Sequence, residues 1–105
     1  MAPDVVWRGV PVDAVCHNRD EALDMLRDDL RDDLRPIHAV ELVAGPSAVA
    51  LGVRSPELTD VGGEPLTGQV FNVFEVRDGR IVAIQDYAQR ADALRAAGAA
   101  EPGWV

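Results

Sequence analysis

The chain has 105 residues, enough for one domain with a real core and too few for two. Eighteen acidic residues against ten basic ones give a formal net charge of -8, which disfavours nucleic acid and anionic lipid, since binding a polyanion needs clustered positive charge. There is no Lys, Cys16 has no second Cys to pair with, no apolar run reaches the roughly 20 residues of a bilayer span, and no basic-then-apolar signal opens the chain, so a cytoplasmic protein without a membrane partner is expected.

"DVVWRG" (residues 4–9) is β-branched, carries Trp7 and ends in Gly, which predicts a strand; "VPVDAVC" (10–16) is its short return partner. In "NRDEALDMLRDDLRDDLRP", Asn18 and Glu21 stand at the spacing of a helix N-cap and its third residue, and Pro36 ends the helix. Leu23, Leu26, Leu30 and Leu34, with Ala22, form a narrow apolar stripe. Asp24/Arg27, Asp28/Arg31 and Asp32/Arg35 are charge pairs of the kind that contribute about 0.2–0.5 kcal/mol each, which describes a solvated helix with one buried edge.

"PIHAVELV" and "AVALGVR" predict two strands around the turn "AGPS". Pairing Val43 with Ala48 puts His38, Val40 and Leu42 on one face with Val49, Leu51 and Val53. "SPELTDVGGEPLTG" (55–68) is a loop or wide hairpin connection. "QVFNVFEV" and "RIVAIQDY" flank Asp78-Gly79, a strong two-residue hairpin signal because both central positions want positive φ. "AQRADALRAAG" predicts a short C-terminal helix closed by Gly98, and "AAEPGWV" a tail.

An unbroken register across that last hairpin pairs Val76 with Ile81 and Phe71 with Asp86. One face then carries Phe71, Val73, Glu75, Val82, Ile84 and Asp86, and the other carries Val70, Asn72, Phe74, Val76, Ile81, Ala83, Gln85 and Tyr87. Both are largely apolar, so cover on both sides is expected, by helices on one and another subunit on the other. A carboxylate beside Phe71 and Ile84 is a candidate general acid or base; the alternative is a solvated strand end or a cap for the next helix.

The order strand, capped helix, hairpin, Gly/Pro-rich connection and "VFNVFEVRDGRIVAIQDYAQRADAL" resembles the SnoaL-like branch of the nuclear transport factor 2-like superfamily over nearly the whole chain, 1–105 as a single domain. The resemblance implies an α+β fold: a curved mixed, mainly antiparallel sheet forming a cone around a helix. It also implies a mostly apolar pocket and a homodimer packed sheet to sheet. Relatives begin with two further helices that roof the cone; here Met1 stands almost against the first strand, which implies a truncated start, a wall supplied by a partner, or an open pocket.

The family's cyclases, isomerases and epoxide hydrolases use pocket carboxylates without metal or organic cofactor, and none is expected here. Asp86 matches their proton-transferring aspartate in the "D-Y" segment. The hydrolases' Arg-x-Asp is broken, because Arg54 is followed two residues later by Pro56. His38 is a candidate hydrogen-bond donor in the pocket, or a core histidine. Trp7, Val40, Leu51, Phe71, Val73 and Ile84 are the candidate apolar ligand wall. His38, His17 and Cys16 lie at no zinc spacing, and no phosphate loop or nucleophile elbow occurs. Three functions stay open: a dimeric domain binding a small apolar molecule, a cofactor-independent isomerase, cyclase or epoxide hydrolase acting through Asp86, and a protein-interaction module.

Overall fold

The structure is a computed structural model whose description covers residues 1–11, 13–32, 38–56, 58–61 and 64–98. In chain order it forms β1 (Val6–Arg8), β2 (Val15–Cys16), α1 (Arg19–Asp32), β3 (Ala39–Ala44), β4 (Ala48–Arg54), β5 (Asp60–Val61), β6 (Glu64–Pro65), β7 (Gln69–Arg77), β8 (Arg80–Tyr87) and α2 (Arg90–Ala97). The expected helix stop at Pro36 and the tail from residue 99 lie outside the described residues.

Six strands build one mixed sheet in the order β2-β1-β8-β7-β4-β3, with β5 and β6 as a separate two-stranded ladder inside the Gly/Pro-rich connection. The neighbours are antiparallel except β1 and β8, which run parallel with Trp7 beside Ile84. This is the α+β architecture that the resemblance implied.

Helix α1 starts where the sequence says it should. Asn18 Oδ1 accepts the Glu21 backbone N–H at 3.0 Å, and Glu21 Oε2 reaches back to the His17 N–H at 2.8 Å, one residue earlier than a reciprocal capping box would place it. Its buried edge is Ala22, Met25 and Leu26, which pack with Val5, Trp7, Ile84 and Phe74. Helix α2 closes on Gly98 at φ 66, whose N–H bonds back to the carbonyls of Arg95 and Leu94. It covers the opposite face, where Ala93 and Ala97 meet Ala48, Ala50, Phe71 and Val73. Full burial of an aromatic such as Phe71 stabilises by about 1.5–3 kcal/mol. Gly45 lets α2 come this close, since a Cβ there would strike the Ala97 carbonyl.

Two registers differ from expectation, with unequal consequences. β3 pairs with β4 as Ala44 to Val49 and Leu42 to Leu51, two residues away from the expected alignment. A shift of two keeps every side chain on its expected face. In the last hairpin, Asp78 (φ 51) and Gly79 (φ 75) make the expected tight turn, but a bulge leaves Val82 unpaired: Val76 faces Ile81 and Glu75 faces Ala83. Beyond it Asn72, not Phe71, faces Asp86, and Phe71 faces Tyr87. The expected grouping of Phe71 and Val73 with Asp86 is therefore corrected, because an offset of one exchanges the two faces. Each face has its own helix, so the second cover is α2 of the same chain.

Candidate functional site

Asp86 lies on the α1 face, near the end of β8 and half-buried. Strand β7 brings Asn72 opposite it, and the parallel pairing of β1 brings Trp7 alongside. Trp7 Nε1 donates to Asp86 Oδ1 at 2.8 Å, and Asn72 Nδ2 donates to the same oxygen at 2.5 Å. Two donors on one oxygen, from strands on either side of β8, set the orientation of the carboxyl plane. Trp7 is 7% exposed, so its indole combines apolar packing with a satisfied N–H. Asn72 was not among the expected site residues; the unbroken register placed it on the other face.

The apolar residues beside Asp86 also follow from register. Ile84 and Trp7 lie in the packed core under α1, while Val49, Leu51, Phe74 and Val70 on β4 and β7 are only half-buried. Further out on β3, Val40 is 46% and Leu42 70% exposed, the only exposed large hydrophobic side chains among the described residues. Helix α1 thus covers the β1–β8 side and leaves an apolar strip open over β7, β4 and β3. Of the expected ligand wall, Trp7, Val40, Leu51 and Ile84 share this face with Asp86; Phe71 and Val73 are in the core beneath α2.

His38 is exposed just ahead of β3, and its backbone N–H donates to the Arg54 carbonyl at 2.9 Å. Leu42 stands level with Asp86 across Leu51 and Asn72, so His38 is three strands over and four residues along. Three strand spacings alone are about 14 Å. The two side chains do not meet, and no single bond of a small molecule lies within reach of both.

A half-open cavity of about 340 Å³ lies on the other face, between Ser47 and Ala96. Val73 and Ala83 form part of its apolar lining, with Glu75, Gln85 and Tyr87 as polar groups, and Asp86 does not line it. Also beneath α2, Glu41 on β3 is 4% exposed and bound by Arg90, with Nε to Oε1 at 2.8 Å and Nη2 to Oε2 at 2.7 Å. Sequence reasoning missed this pair; its one signal is a charge between Val40 and Leu42 in an otherwise apolar strand. Opposite Glu41, Gly52 contributes no side chain. Among the described residues, no three His, Cys, Asp or Glu side chains come together to hold a metal, and no helix is long and apolar enough to cross a membrane.

The fold is shared with solved structures of well-defined kinds. A protein from Jannaschia sp. CCS1 assigned to the SnoaL-like polyketide cyclases matches 97% of this chain and 75% of its own at TM-score 0.60 and 14% identity. An NTF2-like protein of unknown function from Burkholderia pseudomallei matches over 92% and 79%, at TM-score 0.57 and 21% identity. An LEH-like epoxide hydrolase of M. tuberculosis matches over 92% and 71%, at TM-score 0.56 and 22% identity. No family model matches the sequence, and no curated protein sequence matches it. The chain shares the fold of these proteins, the nuclear transport factor 2-like fold.

Proposed function

We propose that this SnoaL-like domain binds a small apolar molecule on the α1 face of its sheet, as a homodimer, with Asp86 as the polar contact that orients the ligand. One observation supports this above others: a carboxylate held by Trp7 and Asn72 borders an apolar strip that α1 leaves uncovered. Apolar surface with a few convergent polar groups is the usual composition of a small-molecule site. Trp7, in contact with the carboxylate, serves as the reporter. In a Trp104→Phe background, titration with the uncharged apolar dye N-phenyl-1-naphthylamine should saturate and change Trp7 emission. Leu51→Glu should abolish binding, whereas Tyr87→Phe, beneath α2, should not. Equal binding by Leu51→Glu would place the ligand elsewhere and overturn the assignment.

A second reading is favoured by the two donors on Oδ1, which hold the carboxyl group in one orientation, as proton transfer to or from a bound substrate requires. On this reading the domain is a cofactor-independent isomerase, cyclase or epoxide hydrolase in which Asp86 moves the proton. Turnover of a cyclic terpene epoxide or a β,γ-unsaturated ketosteroid that disappears in Asp86→Asn supports it. Turnover that survives the substitution excludes Asp86 as the proton carrier.

A further inference from the structure

The geometry points to the outer edge of β3 as the surface through which two copies of this chain pair, side by side, into a continuous sheet. This rests on the self-association proposed above and specifies an interface that face-to-face packing would not use. The sheet has two edges. β2 offers only two residues, whereas β3 offers six and, among the described residues, pairs only with β4. The Gly45 N–H bonds to the Ala48 carbonyl, so by antiparallel alternation Ala39, Glu41 and Val43 spend their backbone groups on β4. Val40, Leu42 and Ala44 point theirs outward.

Exposed strand edges are ordinarily blunted by lysines, prolines or inward-pointing charges. The chain has no Lys, β3 has no Pro, and its one inward charge, Glu41, is neutralised by Arg90. The edge carries the two exposed large hydrophobics, Val40 and Leu42.

A two-fold axis perpendicular to the sheet allows only registers that keep each residue on its own face. Pairing Glu41 with its counterpart sets like charges directly opposite, which is unfavourable. Moving the axis to Leu42 sets Leu42 against Leu42, Val40 against Ala44 and Glu41 against Val43. All three outward-pointing backbone positions then exchange hydrogen bonds with the second copy. Both α1 helices fall on the same side of the joined sheet, so the two apolar strips become one trough bordered by Asp86 from each copy.

The test uses the full chain with Cys16→Ser. Leu42→Cys should form an interchain disulfide under mild oxidation, because directly opposed hydrogen-bonded residues have Cα atoms about 5.5 Å apart, within disulfide reach. Val40→Cys alone should not, while the double variant Val40→Cys/Ala44→Cys should. Leu42→Pro, which removes an outward N–H, and Leu42→Lys should each give a monomer by light scattering at low micromolar concentration. A wild-type dimer in which Leu42→Cys fails to crosslink overturns the β3 edge alone. A wild-type monomer overturns the edge and the self-association together, leaving the dye titration to judge ligand binding.

Discussion

Arg90 of α2 holds both carboxylate oxygens of Glu41 on β3, joining the C-terminal helix to the sheet edge across 49 residues of sequence. The side chains are 15% and 5% exposed, so water screens the pair little. Removing one partner takes a bidentate counter-charge away from a buried charge, at a cost of about 3–5 kcal/mol. Glu41→Leu should therefore sharply lower the urea midpoint. Glu41→Leu/Arg90→Met should recover much of the loss, since replacing both charges with apolar groups removes the desolvation penalty. A double variant no more stable than the single one would show that Arg90 depends little on Glu41.

Trp7→Phe keeps an aromatic ring in the core but removes one donor from Asp86 Oδ1. A lost hydrogen bond to a partly buried charged group corresponds to about 1.5–3 kcal/mol. The loss should shrink when measured in an Asp86→Leu background, because the acceptor is already gone; an unchanged loss would assign Trp7's contribution to packing alone.

Val82 has no partner in the β7–β8 ladder, where it is the extra residue of the bulge. Deleting it closes the bulge, and because Ala83 already faces Glu75 and Asp86 already faces Asn72, every later pair keeps its partner and its face. The expected result is a variant that still unfolds cooperatively. Loss of cooperative thermal unfolding on deletion would show that the bulge itself is needed.

The start of α1 should carry a small pH dependence. The Glu21 carboxyl is lowered from its usual 4.5 chiefly by the His17 backbone N–H, with the His17 imidazole adding to it. A carboxyl lowered in the folded state adds stability above its unfolded pKa and loses it as pH falls through the folded value. Glu21→Gln should thus be less stable than wild type at neutral pH, with the gap closing in acid below the ordinary glutamate range. A gap that widens in acid would contradict this origin.

Much of the fold is legible because its signals are local. Asn18 and Glu21 mark the helix start within four residues, and Asp78-Gly79 marks the tight turn at the two positions that require positive φ. The β3–β4 register is two residues off, yet its faces come out right because strand periodicity is two. The β7–β8 faces do not, because no residue around Val82 announces a bulge, and one extra residue exchanges everything beyond it. The Glu41–Arg90 pair and the β1–β8 pairing are hidden for a different reason: each joins distant segments, and nothing near either partner names the other. Asp86 is legible as a polar residue out of place on an apolar strand; Asn72 and the Trp7 N–H emerge as its partners only in three dimensions.

The parallel pairing of β1 with β8 also sets an order of events. Trp7 is made 79 positions before Asp86, so their contact closes one of the longest loops in the domain. Contacts of that span carry the largest chain-closure entropy and tend to slow folding. During synthesis from the N-terminus, β1 has only its two-residue partner β2 in the sheet until β8 exists. The carboxylate site is therefore complete only when the end strands have joined, and an indole signal sensitive to Asp86 would report the closing of the whole sheet.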